Sequence, residues 1–413
     1  LRDSLIALWN RSVSVQIACV GGGPAGLYLS ILMKRRDPSR EVTVYERSPA
    51  GSTYGWGVTY WAGLLDRLQQ GDPDTARAIR DRSVRWSDGV AHIHGGTTVH
   101  HGDEGFGIGR HALLDILTER AAGLGVRLEH RRAVTDRAEL PGADLVVACD
   151  GVHSALRAPH ADHFGTTVTG GRNRYLWLGT TRVFDAFTFA FVPTAHGWIW
   201  CYAYRYDADR STCVVECSPA TWTGLGLDCA GPAECLALLE GLFAHVLDGH
   251  PLTSRPDGDR GDARWLTFRT VTNRRWHHGN LVLMGDAAHT THYSIGAGTT
   301  LALEDALTLA DALEDDGPLE TALERYGRQR RSALVPAQSA ARHSARWYEE
   351  LPRYTALPPQ EMFALLGQRH SPLLPYLPPR LYHRLDRAAG RLGPLRALKR
   401  RLGPLLARTL HPR

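Results

Sequence analysis

The sequence predicts an α/β protein: a three-layer, Rossmann-like βαβ domain, an antiparallel β-sheet domain inserted into it, and a helical C-terminal region. Three observations lead there. A strand, glycine turn, helix and second strand succeed one another at residues 15–46. A second buried-type strand run, ending in Gly-Asp, lies far downstream at 280–286. The stretch between them, 174–218, turns to Trp, Tyr, Phe, Thr and Val. A simple dinucleotide domain is continuous, so finding its elements at both ends implies an insertion.

Taken in order, VQIACV at 15–20 is a short apolar run of strand type, followed by GGGPAG at 21–26. LYLSILMKRR then spaces its apolar residues as a helix does until Asp37-Pro38 stops it, and VTVYE at 42–46 is the second strand. A helix is expected at 109–124, a strand at 126–129, and a buried strand at 144–149 leading into Asp150-Gly151. Within 174–218, turn signals at His196-Gly197 and 207–209 separate antiparallel strands. A helical pattern returns at 232–248. The strand NLVLM at 280–284 precedes Gly285-Asp286, and helices are expected at 299–313 and 318–347. Proline-rich stretches at 351–359 and 371–379 then lead to a basic tail.

Composition narrows the class. Of 413 residues, 43% are hydrophobic and 22% charged, the balance of a globular chain with a sizeable core. Gly and Pro show no period, which excludes collagen-like and low-complexity readings. No run approaches the ~18 apolar residues that span a membrane. The apolar run at 5–9 is too short for a signal-peptide core, so residues 1–13 read as a leader remnant. The seven cysteines are odd in number and scattered, as in a cytoplasmic protein with reduced thiols, and Cys213 and Cys217 sit in a strand-like run. Charge is uneven: Arg380 to Arg413 holds ten Lys/Arg against Asp386 alone, while the remainder is net acidic. Such a tail is either a solvated amphipathic helix or a surface for phosphates.

Three motifs carry chemistry. Gly21, Gly23 and Gly26 fit GxGxxG between strand and helix, where a tight turn lets backbone amides approach a pyrophosphate. Glu46 lies 20 residues past Gly26 at the end of the second strand, placed for a ribose hydroxyl. This motif alone does not separate FAD from NAD. The second motif is CDGVHSALR at 149–157. The third is GDAAH at 285–289, then SIGAGTTLALEDA at 294–306. In it an acid follows a buried strand, and a glycine turn opens a helix whose first amides are free. His289 and His292 have HxxH spacing, but no ligand set accompanies them and no metal is expected. His100-His101 and His277-His278 read as loop residues.

In this order the three motifs resemble those of the single-component FAD-dependent aromatic hydroxylases, the p-hydroxybenzoate hydroxylase-like fold, over about residues 14–345. Gly55-Trp56-Gly57-Val58, the run 177–189 and HTTHYSIG at 289–296 are similar to one branch of that family. That branch contains salicylyl-CoA 5-hydroxylase and the monooxygenase half of anthraniloyl-CoA monooxygenase/reductase, with violacein-pathway hydroxylases more distant. The family commonly has prolines before the glycine turn; Tyr293-Ser294 stands there instead, as the branch does.

The resemblance implies roles. Gly21, Gly23, Pro24, Ala25, Gly26, Glu46 and Arg47 hold the ADP half of FAD. Arg110 contacts the FAD chain, and Asp150 lies where flavin and nicotinamide approach. Gly285 and Asp286 hold the ribityl-phosphate region, and Gly296, Ala297, Gly298 and Thr299 face the polar flavin edge. His289, His292 and Tyr293 are the candidates nearest the flavin for proton chemistry, and Trp56 is a wall of the ring pocket. NADH or NADPH docks transiently, and dioxygen is the co-substrate. The implied activity is hydroxylation of an electron-rich ring, most of all an aryl-CoA thioester such as salicylyl-CoA or anthraniloyl-CoA. A free, carrier-bound or tryptophan-derived ring, and an oxidase on the same fold, stay open. The expected FAD-binding domain comprises 14–75, 100–170 and 270–345; the substrate sheet, 76–99 and 171–269; the C-terminal extension, 346–413. No nucleic acid or membrane partner is expected, and the state is a monomer or homodimer.

Overall fold

The computed structural model describes residues 15–53, 55–255, 263–314 and 317–391. The leader reading at 1–13 and the tail beyond 391 lie outside the described residues.

The first sheet has six strands in the order 277–278, 281–283, 145–148, 16–20, 41–46 and 127–130, and all neighbours but the first pair are parallel. Ile17 lies between Val42 and Leu145 in this register. Leu145–Ala148 is buried at every position, as a strand covered on both faces must be. Helix Pro24–Arg36 follows the first strand and is buried from Pro24 to Met33, packed in one core with helices Arg110–Gly123 and Gly298–Ala312. Proline at its first turn has no amide to waste, and Lys34, Arg35 and Arg36 close its negative end.

The second sheet has eight strands in the order 252–253, 174–180, 211–217, 197–205, 187–194, 84–93, 96–109 and 57–61. The turns expected at 196–197 and 207–209 are two of its hairpin tips, joining antiparallel strands. Alternation sorts the side chains. Leu176, Leu178, Cys201, Cys213 and Val215 pack under the helices of 219–247. Phe189, Phe191, Trp200, Tyr202 and Tyr204 face the other way, onto Trp347, Tyr348, Tyr354, Met362 and Phe363.

The structure draws the domain boundaries differently from the sequence. Strand Gly57–Trp61 and residues 100–109 belong to the eight-stranded sheet, not to the dinucleotide half. Helix Leu319–Glu349 runs straight through the boundary expected at 346. Residues 347–382 are no loose extension, because they bury a row of apolar side chains on the sheet. His100-His101 and His277-His278 are strand residues, not loops. The seven cysteines are all free, and no described helix is long and apolar enough to cross a membrane.

Candidate active site

The ends of three adjacent parallel strands release the three motifs side by side. The Cys149 amide donates to Val20 O at 2.9 Å, and the Met284 amide to Ala148 O at 2.9 Å, so residues 20, 148 and 283 stand level. This carboxyl edge is where open α/β sheets bind ligands. Gly21 has φ +120, and a Cβ there would lie 2.2 Å from Cys149 O. A Cβ on Gly26 would lie 2.3 Å from Gly21 O. Gly23, at the helix start, faces open space, with no acidic residue in the first turn. Pro24 and Ala25 begin the helix, and a Cβ on Gly285 would meet Ala25 Cβ at 3.2 Å, so the first and third motifs touch.

Around this turn the polar groups divide into spent and unspent. Glu46 accepts from the Gly22 and Ser48 amides, one per carboxylate oxygen at 2.8 Å, and a carboxylate has about four acceptor positions, so two remain. Arg47 is exposed at the strand end. Asp150 Oδ2 accepts from the Ala155 amide at 2.7 Å, whereas its Oδ1 is buried without a partner. Arg110 donates its backbone amide to Trp56 O at 2.8 Å, and its Nε is likewise buried and unpartnered. Burial lowers the Arg110 pKa, opposed by Asp286. Asp286 is exposed even though surrounding protein raises its carboxyl above the usual range, as on the wall of a cleft. Gly296 closes the next short turn, and helix Gly298–Ala312 starts after Ala297 with no side-chain cap, which leaves the amides around Thr299 to find other partners.

Three candidates for chemistry stand elsewhere in role. His289 is buried, its Nε2 2.7 Å from Asp305 Oδ2 and its ring stacked on Trp276. Asp305 also accepts from the Gly285 amide (3.0 Å) and from Arg330 Nε (2.6 Å), so this network braces the Gly285-Asp286 turn from behind. Burial alone would raise the Asp305 carboxyl, but His289 and Arg330 outweigh it and hold it below the ordinary value. His292 Nδ1 lies 2.8 Å from Ser294 Oγ, and burial with Arg369 nearby lowers its pKa to about 3. It is therefore neutral near pH 7 and is no acid there. Trp56 is 3% exposed, fitted against Gly179, with Nε1 donating to Trp177 O at 3.2 Å; it is a packing residue.

Tyr293 alone of the four joins the motif to the second sheet. Its hydroxyl donates to Glu216 Oε2 at 2.7 Å, and Asn173 Nδ2 donates to Glu216 Oε1 at 2.7 Å. Its ring lies 4.4 Å from Tyr175 and 5.8 Å from Phe268, centroid to centroid. Sequence reasoning missed Glu216, although a lone carboxylate in the strand STCVVEC was a signal. It also missed the partners of Asp305, which no local pattern shows, and Arg157, which is buried and ties the second motif to the third through Ala287 O at 2.8 Å. Elsewhere, ligand atoms of His277, Glu320 and Glu324 lie within 4.8 Å of one another. Two of the three are exposed acids.

Comparison with known proteins bears on this arrangement. The family pattern described as FAD binding domain matches residues 240–336. The chain is 38% identical over 349 residues to a salicyloyl-CoA 5-hydroxylase from a Streptomyces species, covering 82% of this chain and 66% of that protein's length. It is 37% identical to 3-hydroxy-4-methyl-anthranilyl-(aryl-carrier protein) 5-monooxygenase of Streptosporangium sibiricum, covering 82% of this chain and 90% of that one. The chain belongs to the FAD-dependent aromatic hydroxylases. It falls in the branch that holds salicyloyl-CoA 5-hydroxylase, and it is a flavin-dependent monooxygenase. Among solved structures, 2-methyl-3-hydroxypyridine-5-carboxylic acid oxygenase shares the hydroxylase fold, with TM-score 0.67 at 19% identity over 81% of this chain and 91% of that one. The residues present fit FAD. A glycine cradle fronts a helix start free of acids, and buried Asp150 Oδ1 and Arg110 Nε have no partner among the described residues.

Proposed function

We propose that this hydroxylase acts on an electron-rich aromatic ring presented as a thioester, an aryl-CoA first of all. FAD, reduced by NADH or NADPH, supplies the oxygen atom from dioxygen. Gly21, Gly23, Pro24, Ala25 and Gly26 present helix amides to its pyrophosphate, and Glu46 offers its remaining acceptor positions to the ribose. Asp150, Arg110, Gly285 and Asp286 line the path of the chain between. The amides of Gly296, Ala297, Gly298 and Thr299 support negative charge at the isoalloxazine edge. The nicotinamide donor docks from solvent, with no dinucleotide unit of its own.

One observation carries the substrate reading. Tyr293, immediately before the glycine turn, stands against an aromatic sheet face on which Tyr175, Trp177 and Phe187 are only partly buried. Flat apolar walls with few polar groups suit an aryl ring. The thioester follows from the relatives, one named for a CoA ester and one for a carrier-bound ring. For the CoA phosphates, helix Pro379–Arg391 exposes Arg380, Arg384 and Arg387. Cutting this helix away removes Tyr382, which is buried on the sheet core, so charge removal is the cleaner probe.

The test is incubation with NADH or NADPH, labelled dioxygen, and salicyl-CoA, anthraniloyl-CoA or free salicylate. A thioester product one labelled oxygen heavier is expected, with flavin reduction faster when substrate is bound. Equal turnover of salicylate and its CoA ester removes the thioester reading, and oxidised product without oxygen gain points to an oxidase. Replacing Arg380, Arg384 and Arg387 with Gln raises the KM for salicyl-CoA and leaves that for salicylate unchanged. An unchanged KM for the ester removes the helix from the phosphate site.

A further inference from the structure

Glu216 is 1% exposed in the middle of the eight-stranded sheet, opposite Tyr175 on one neighbouring strand and Trp200 on the other. Its two oxygens accept from two neutral donors, Tyr293 and Asn173, both at 2.7 Å. Among the described residues no cation lies within ion-pair distance of it. Buried carboxylates are normally paired with a cation, because desolvating an unpaired charge is costly. A glutamine would accept one of these hydrogen bonds and could donate its amide N–H to the Tyr293 oxygen in place of the other, without that penalty. The carboxyl is therefore poorly explained as a structural acceptor.

The surroundings sharpen the point. The titratable groups that face Glu216 are Tyr293 from the turn, Tyr202 from strand Gly197–Arg205, Tyr348 and Glu349 from the long helix, and Cys217 beside it in its own strand. Burial holds the three tyrosines above their ordinary value and pushes the Cys217 thiol up to about 12. Glu349 is a second carboxylate and adds repulsion. Burial first, then Glu349, outweighs the hydrogen bonds and pushes the Glu216 carboxyl up to about 7. It is the one group of this set placed to change charge near neutral pH. Tyr293 is half-buried, stands three residues before Gly296 of the glycine turn, and reaches the sealed carboxyl with its hydroxyl.

We propose that Glu216, acting through the Tyr293 hydroxyl, accepts the proton of a ring hydroxyl on the substrate and so activates the ring toward oxygen transfer. The inference rests on the ring-hydroxylation reading above. Tyr293 passes its own proton to Glu216 Oε2 and takes the substrate's in the same movement. The ring substituent becomes anionic, the carboxylate becomes a carboxylic acid, and no electrons change hands. After oxygen transfer the proton returns by the same route to the product's ring hydroxyl. Tyr293 touches the substrate. Glu216 does not, and is a positioning residue with a proton of its own.

The test uses the FAD-loaded full chain with salicyl-CoA, anthraniloyl-CoA and salicylate, and reads product formed per NADH consumed against pH. In the wild type, hydroxylation of salicyl-CoA or salicylate rises with pH through a limb near 7. Glu216→Gln, nearly the same in shape, keeps its flavin, loses that limb and falls in hydroxylation by about a hundredfold, the lower range of proton-transfer catalysis. Tyr293→Phe cuts the link while leaving the carboxyl, and gives the same loss. The double variant is no worse than either single one, as befits one relay. A limb near 7 that survives in either variant overturns the relay while leaving ring hydroxylation standing. A wild type that hydroxylates none of the three probes removes the ring-hydroxylation reading and the relay with it.

Discussion

Each sheet of this molecule buries a carboxylate against the proposed active site, and the two are treated in opposite ways. Behind the parallel sheet, Asp305 is fully buried but meets Arg330, His289 and the Gly285 amide, and Arg330 in turn reaches Glu304, which pairs with Arg67. Its carboxyl is held below the ordinary value. In the antiparallel sheet, Glu216 meets only neutral donors and is pushed up to about 7. The first arrangement fixes a charge so that a turn keeps its shape. The second leaves a charge free to appear and vanish with a proton. Equal burial thus yields a brace in one half and a titrating group in the other, and the counter-ion decides which.

The largest effect should come from breaking the brace. Asp305→Asn leaves Arg330, which is 4% exposed, with Glu304 at 3.2 Å as its remaining carboxylate partner, and this should destabilise the fold by about 3 kcal/mol near neutral pH. The sign with pH is fixed by the lowered carboxyl. Its contribution is present above the unfolded aspartate value near ~4 and is lost as pH falls through the lower folded value. Denaturant unfolding across pH should therefore show the variant and the wild type converging in acid. A gap that persists undiminished below the folded value means that Asp305 works by shape, not by charge.

Glu216→Gln should do the reverse. A carboxyl raised in the folded state favours folding fully below the unfolded glutamate value and loses that contribution as pH rises toward 7. The glutamine variant should match the wild type near pH 4 and become the more stable of the two above pH 7. The gain is roughly 3 kcal/mol, at about 1.4 kcal/mol for each unit of pKa. Melting curves at several pH values measure it, and a variant less stable than the wild type at alkaline pH contradicts the uncompensated burial.

A third carboxylate tests whether the parallel half also holds charge for a ligand. Asp286 is exposed, and no described side chain donates to it, so Asp286→Ala should leave the melting point of the flavin-free protein nearly unmoved. Its FAD affinity should fall by about 1.5–3 kcal/mol, the worth of one charge-assisted hydrogen bond. Flavin titration followed by fluorescence reads this directly, and wild-type affinity would remove Asp286 from the cofactor's contacts. The smallest effect is expected at Arg47. It is exposed at the strand end, and Arg47→Ala should change stability and FAD affinity by about 0.5 kcal/mol or less. A larger loss of affinity would mean that the arginine closes over bound FAD.

The sequence reached most of the parallel sheet. Strand–glycine–helix signals there are local, and helix Pro24–Arg36 and strand Leu145–Ala148 lie within a few residues of where patterning puts them. The region 57–109 was not legible in the same way. Strands Val84–Ile93 and Gly96–Gly109 are rich in Gly, His and charge, and their pairing with each other and with Phe187–Thr194 supplies what their composition lacks. At the site, the motifs located the turns but not the jobs of the side chains within them. His289, His292 and Tyr293 stand within five residues of one another. One joins a buried ion network, one caps a short turn as a neutral ring, and one reaches across to the other sheet.

What the sequence determined by itself was the set of backbone devices: where glycine permits a turn, where a helix begins without an acid, where apolar alternation builds a sheet. These depend on neighbours along the chain, so they can be read along it. The charge state and duty of each polar side chain were decided only by tertiary structure. Asp305 meets Arg330 25 residues on, and Tyr293 meets Glu216 across 77 residues. A carboxyl's pKa follows the water it loses and the charges it gains, and both are set by which distant strands and helices the fold brings against it.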